Sequence, residues 1–151
     1  MDKTFPDYQE FIVEHSKRPH NSGKPAQYSH EAQGYNRICG DHIHVYVLLD
    51  DNRIKDLKFE ADSCAICKAS ASAMSERLVN LKREEAQSLV SEFFNLVQSQ
   101  NEDGQGQSTG LNGLHVFAFL KRFPSRIKCA QLPWTTLRAA LADNKEIIST
   151  E

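Results

Sequence analysis

Apolar residues near the start of the chain recur at helical spacing. Phe5, Tyr8, Phe11, Ile12 and His15 share one face, with Thr4 placed as an N-cap and Pro6 in the first turn. A helix is predicted over Phe5 to Lys17. It ends in SKRPHNSGKP, where Pro19, Gly23 and Pro25 oppose continuation. A short strand is predicted near Tyr28 to Tyr35. From His42 to Leu49 the period changes to two. Ile43, Val45, Val47 and Leu49 face one way; His42, His44, Tyr46 and Leu48 face the other. Asp50-Asp51-Asn52 reads as a turn. Ile54 to Ala61 then reads as the antiparallel return strand, with Leu57, Phe59 and Ala61 inward.

At Ser63 the pattern changes again. CAICKASASAMSERLVNL has no Gly or Pro and predicts a helix from Cys64, capped by Ser63. Ala65, Ala69, Ser72 and Ala73 would admit a close neighbour, while Met74, Leu78 and Leu81 pack deeper. A second amphipathic helix follows over Arg83 to Gln98, through Ala86, Leu89, Val90, Phe93, Phe94 and Val97. NEDGQGQSTGLNG is expected to be a flexible loop. Leu114 to Arg122 reads as a short apolar helix, and Pro124 restarts the chain. Leu132 to Ala142 is the expected last helix, with Pro133 near its first turn and a frayed tail after Asp143. Helix, small antiparallel sheet, then helices predicts an α+β fold: about three strands packed against several helices. No internal repeat or linker divides the chain, so residues 1–151 are expected to form one domain with its core over about 5–142.

Composition narrows the function classes. Hydrophobic residues are 40% and charged residues 25% of 151, a globular balance. A chain of this size buries about 70% of its unfolded surface and needs no metal staple to fold. The net charge of -2 argues against a dedicated nucleic-acid binder or a polybasic membrane anchor. No stretch approaches the ~20 apolar residues of a membrane span, and MDKTFPDYQEF has no apolar signal region. A cytoplasmic location with reduced cysteines is expected.

Four cysteines carry the candidate chemistry: Cys39, Cys64, Cys67 and Cys129. Cys39 and Asp41 stand two apart in CGD, and an extended backbone would put both on one side. Cys64 sits where a strand gives way to a helix, so backbone N–H groups and the helix dipole favour its thiolate. Arg126 and Lys128 precede Cys129 and would favour an anion there. Three thiolates and a carboxylate are a plausible tetrahedral zinc set, and cysteine-rich sites also hold iron–sulfur clusters. Spacing does not choose between them. Cys64 and Cys67 form a CxxC pair one helical turn apart, able to share a ligand or form a redox pair. Against this, a free cysteine is more often core than ligand. His42 and His44 share a strand face and offer imidazoles, but such residues are more often surface groups. His15, His20, His30 and His115 show no partner in sequence.

CGD with its alternating strand, then KFEADSCAICKASASAMSE, then RFPSRIKCAQLPW resemble the U-type iron–sulfur assembly proteins, SufU and IscU. YQEFIVEHSKRPHNSG resembles that family's first helix and turn. The resemblance spans about residues 5 to 142. The long interval between Cys64 and Cys129, and Lys128 where IscU has His, are closer to SufU. The resemblance implies Zn2+ held by Cys39, Asp41, Cys64 and Cys129, with Cys39 accepting persulfide sulfur from a SufS-type cysteine desulfurase. Arg126 resembles the arginine that SufU places near that site. Ser63 stands where the family usually has Gly, so a positive φ there would be strained by its side chain. Cys67 stands where SufU commonly has Ser, and is either a neutral swap or a second thiol that relays sulfur. Arg37 replaces a frequent Pro.

The leading expectation is a zinc-dependent sulfurtransferase in iron–sulfur cluster assembly. The alternative is a non-enzymatic scaffold that builds a [2Fe–2S] cluster on the same ligands and passes it to downstream scaffold or acceptor proteins. A metal-stabilised binding module without chemistry is the remaining reading.

Overall fold

The computed structural model describes residues 4–98, 114–143 and 147–149. Helix α1 runs over Thr4–Lys17, strands β1, β2 and β3 over His30–Asn36, Asp41–Asp50 and Arg53–Asp62, and helices α2 and α3 over Ala65–Leu78 and Arg83–Gln98. A 3₁₀ helix, His115–Arg122, precedes α4, Pro124–Leu141, and β4, Ile148–Ser149. The fold is α+β. Its sheet has the order β3-β2-β1-β4, with β1–β2 and β2–β3 antiparallel and β1–β4 parallel. The sheet therefore has four strands, because Ile148 and Ser149 of the tail pair with Gly34 and Tyr35 where fraying was expected.

Alternation along the strands decides which face is covered. Ala32, Gly34 and Asn36 of β1, Ile43, Val45 and Val47 of β2, and Ile54, Leu57 and Phe59 of β3 are buried. Asp51 and Asn52 both take positive φ, 55° and 63°, which matches the two-residue hairpin turn that Asp and Asn tolerate best. The outer backbone edge of β3 is covered at two points. Gly23 N–H donates to Phe59 O at 2.7 Å and Phe59 N–H to Asn21 O at 3.2 Å; Ile54 N–H donates to Leu81 O at 2.8 Å.

Helix α2 is buried almost all round, from Cys67 and Ala69 through Ser75 to Leu78. Small side chains let its neighbours approach, and the buried hydroxyls are satisfied. Ser70 Oγ donates to Ala130 O at 2.6 Å and accepts Trp134 Nε1–H at 2.9 Å, tying α2 to α4. Ala65 of the expected small-residue face is exposed instead.

Two boundaries differ from expectation. The last helix begins at Pro124, not Leu132, so Cys129 lies within it and Pro133 is interior. Proline at N1 starts the helix; Pro133 removes one N–H, and the i−4 carbonyl that loses its donor is that of Cys129. The cap of α2 is Cys64, not Ser63, and it makes no side-chain cap bond of its own. Helix α4 lies across β1 at Gly34, where a Cβ would collide with Thr136 and Leu132. The side chains of Thr4, Phe5 and Pro6 and the expected loop over 101–113 lie outside the described residues.

Candidate metal and sulfur site

Four segments converge at one end of the sheet. β1 and β2 pair as far as Asn36 opposite Asp41, and residues 37–40 close the hairpin between them. Gly40 takes φ +72°, a left-handed conformation that its missing Cβ permits, and its N–H meets Arg37 O at 3.3 Å. Cys39 thus sits on a tight loop, half-buried, rather than on extended backbone. Asp41 starts β2 and is fully buried. Cys64 caps α2, and Cys129 projects from α4.

The donor atoms of Cys39, Asp41 and Cys129 all lie within 4.8 Å of one another. Cys129 Sγ–H donates to Cys39 Sγ at 2.8 Å; all four cysteines are free thiols. Cys64 joins through Asp41. Its backbone N–H donates to Asp41 Oδ1 at 2.8 Å, and its Sγ lies 3.8 Å from Oδ2. A buried carboxylate is costly unless hydrogen-bonded, and here a helix N-terminus supplies the donor.

Protonation is unequally shared. The Cys64 thiol is lowered to about 7, first by a hydrogen bond from Cys129, against burial, and with help from the backbone N–H groups of Cys67 and Ile66. Cys129 is raised, first by that same bond to Cys64, then by burial and by its bond to Cys39. Cys129 therefore keeps the proton and donates it toward both neighbours. This differs from the expected Cys129 anion: Arg126 does interact with Cys129, but the bonds to Cys64 and Cys39 and burial outweigh that exposed guanidinium, whose Nη1 also reaches Cys39 Sγ at 4.0 Å. Ser63 is not among the described residues with positive φ, so no strain follows from a side chain there.

Residues 7–104 match the sequence profile of the NifU-like N terminal domain. The chain belongs to that family. This NifU-like chain is 34% identical over 134 residues to the iron–sulfur cluster assembly scaffold protein IscU of Streptococcus pyogenes serotype M1, covering 89% of this chain and 82% of that protein. It is 33% identical over 135 residues to the zinc-dependent sulfurtransferase SufU of Bacillus subtilis, covering 89% of each. The crystal structure of an iron–sulfur cluster assembly scaffold protein for the SUF system from Fervidobacterium islandicum AW-1 superposes with a TM-score of 0.68 at 33% identity, over 87% of this chain and 94% of that one.

The other candidates of the NifU-like chain fall elsewhere. Cys67 is in the hydrophobic core, fully buried, and burial pushes its thiol well up. It is not in the group with Cys39, Asp41 and Cys129. His42 and His44 are taken up across the strands, His42 Nε2 by Gln33 Oε1 at 3.0 Å and His44 Nε2 by Glu31 Oε1 at 2.7 Å.

Asn36 and Tyr8 were not singled out by sequence. Asn36 is buried; its Nδ2–H donates to Cys129 Sγ at 3.8 Å and its Oδ1 accepts Ile38 N–H at 3.2 Å. It braces the Cys39 loop and the Cys129 sulfur at once. Its signal was phase: Asn36 continues the inward series Ala32, Gly34. Tyr8 is buried near the site; burial raises its phenol, opposed by Arg126. Among the described residues no helix is long and apolar enough to cross a membrane.

Proposed function

We propose that this chain is a zinc-dependent sulfurtransferase of iron–sulfur cluster assembly, with Cys39 accepting persulfide sulfur from a SufS-type cysteine desulfurase. The observation that carries this reading is the placement of Cys39. It is half-buried on a short loop, beside exposed Ile38 and the Arg126 guanidinium, while the Asp41 carboxylate starts β2 and its companion thiols Cys64 and Cys129 stand at the cap of α2 and within α4. The name of the Bacillus subtilis relative, zinc-dependent sulfurtransferase SufU, supports the same chemistry.

Three thiols and a buried carboxylate fit the donor types of a tetrahedral zinc site, and Cys39, Asp41, Cys64 and Cys129 are the residues that would hold the ion. Bound there, zinc would keep the thiols as thiolates and shield them from oxidation. In the transfer step, the Cys39 thiolate attacks the outer sulfur of the desulfurase persulfide. A new S–S bond forms at Cys39, the donor's S–S bond breaks, and the desulfurase cysteine leaves as thiolate. No net oxidation or reduction occurs. Arg126 supplies positive charge to the anionic sulfur, its Nη1 lying 4.0 Å from Cys39 Sγ.

The test is mass spectrometry of the zinc-loaded chain after incubation with a SufS-type desulfurase and cysteine. Wild type gains one sulfur atom, removable by reductant, on the peptide containing Cys39. Cys39→Ala, still folded and matched in metal content, gains none. Sulfur uptake by that variant at the wild-type rate would sink the assignment.

A second reading is supported by the relatives named as scaffolds: a [2Fe–2S] cluster is the cargo, held by the same four residues and passed to an acceptor protein. A carboxylate among thiolates suits weak holding and release. Reconstitution with iron and sulfide should then give a coloured protein that transfers its cluster to an apo acceptor. For either reading the reducing cytoplasm is the compartment that suits free thiols.

A further inference from the structure

Among the described residues, one other group of metal-ligating side chains converges, and it lies away from the sulfur site. His15, His20 and Glu76 offer ligand atoms within 4.8 Å of one another. They come from three segments: the last turn of α1, the Pro19–Gly23 connection, and the last part of α2. His20 Nδ1 lies 2.5 Å from Glu76 Oε1, and His15 Nδ1 lies 3.8 Å from the same oxygen.

The group is fixed by its surroundings. The His15 ring stacks on Phe11 with centroids 4.3 Å apart, and its Nδ1 is 2.8 Å from Ser72 Oγ. The backbone at His20 is held at both ends, its N–H donating to Ser72 Oγ at 2.8 Å and its carbonyl accepting from Ser75 Oγ at 3.2 Å. Asn21 follows in the left-handed region, φ 59°, with Nδ2–H donating to Ser75 Oγ at 3.0 Å. The bonds at His20 and Asn21 hold the connection in place, whereas the Ser72 contact is made at the His15 nitrogen that faces Glu76 and would give way to an ion there. His15 is largely buried, while His20 and Glu76 keep their outer sides in solvent, which leaves room for water as further ligands.

Charge points the same way. The two imidazoles stand 5.0 Å apart with one carboxylate between them. A single proton satisfies one ring, and two protonated rings repel; a divalent cation satisfies both rings and the carboxylate together. Imidazole nitrogen with carboxylate oxygen suits zinc, ferrous iron, cobalt or nickel, whereas magnesium and calcium want oxygen throughout. We propose that His15, His20 and Glu76 form a second metal site, binding a divalent first-row transition-metal ion through nitrogen and oxygen alone.

The test is anaerobic titration of the untagged, reduced, metal-free full-length chain with Co2+, followed by visible and near-ultraviolet absorption. Cobalt on thiolates gives intense sulfur-to-metal charge-transfer bands; cobalt on nitrogen and oxygen gives only weak d–d bands. Two ions per chain are expected, one of each spectral kind. His20→Ala and Glu76→Gln change exposed side chains and keep the backbone bonds. Each should weaken the nitrogen–oxygen phase by at least about tenfold and leave the charge-transfer phase intact. Cys39→Ser should do the reverse, so a failure of the thiol site is read separately. A single ion with charge-transfer bands only, or a nitrogen–oxygen phase unchanged in both variants, would overturn the proposal.

Discussion

Asp41 Oδ1 accepts the backbone N–H of Cys64 across 2.8 Å, so a strand residue caps a helix that begins far along the chain. The cap residue of α2 supplies no side-chain bond itself. Asp41 thereby satisfies an orphan N–H of the helix start and positions the Cys64 sulfur in one contact.

Asp41→Ala should destabilise the metal-free protein by about 1–3 kcal/mol, because a buried N–H loses its acceptor. Asp41→Asn keeps an oxygen for that N–H and should lose much less. Urea unfolding of the three proteins in chelator checks this. Equal losses in both variants would show that the charge, not the acceptor, matters.

In the metal-free protein Cys64 should alkylate well before Cys67. Cys64, lowered to about 7, becomes thiolate as pH rises through that value, so its iodoacetamide rate should climb between about pH 6 and 8 and then level. Cys67, raised by burial, should stay unlabelled while the protein is native. Peptide mapping after short pulses at several pH values measures both. A Cys64 midpoint near the free-thiol value of about 8.5 would contradict the hydrogen-bond geometry.

Gly34→Ala should cost about 1–3 kcal/mol by forcing β1 and α4 apart. Thr136→Ala removes the nearest obstacle, although Leu132 remains. The double variant should therefore lose less than the two single losses added, in a thermal or denaturant cycle.

Asn36→Ala should loosen the loop that carries Cys39. Its Oδ1 accepts Ile38 N–H, so hydrogen exchange at Ile38 should quicken while exchange in the β2–β3 hairpin stays unchanged. Asn36→Asp keeps that acceptor and should retain the protection.

Long periodic elements were legible from sequence because one rule governs each. The alternation of Ile43, Val45 and Val47 fixes a strand buried on one face, and Phe93 and Val97 of α3 lie on its buried stripe. The start of the last helix was not legible. Pro133 reads locally as a first-turn residue, but packing of Cys129, Ala130 and Leu132 against the core carries the helix through it. The pairing of Ile148 with Gly34 also depends on a tertiary edge that no local pattern announces. At the site, residue types drew attention to Cys39, Asp41, Cys64 and Cys129, but Cys39 reaches Asp41 through a left-handed Gly40 rather than along a strand. The unequal protonation of Cys64 and Cys129 depends on distances, and so does the meeting of His15, His20 and Glu76.

The two outer strands of the sheet have a consequence for association. Ile148 and Ser149 occupy part of the free side of β1. The outer side of β3 is met at Phe59 by the segment around Ser22 and at Ile54 by Asn80 and Leu81. Exposed β-edges are the usual template for cross-chain strand addition. The protein's own chain therefore interrupts both margins, at Gly34 and Tyr35 of β1 and around Phe59 and Ile54 of β3, and shortens the run of backbone each can offer another sheet. Side chains offer a different kind of surface: Ile38 and Phe123 are exposed on the Cys39 loop and at the start of α4. Removing Ile148 and Ser149 would lengthen the bare margin of β1 and favour edge-to-edge assembly.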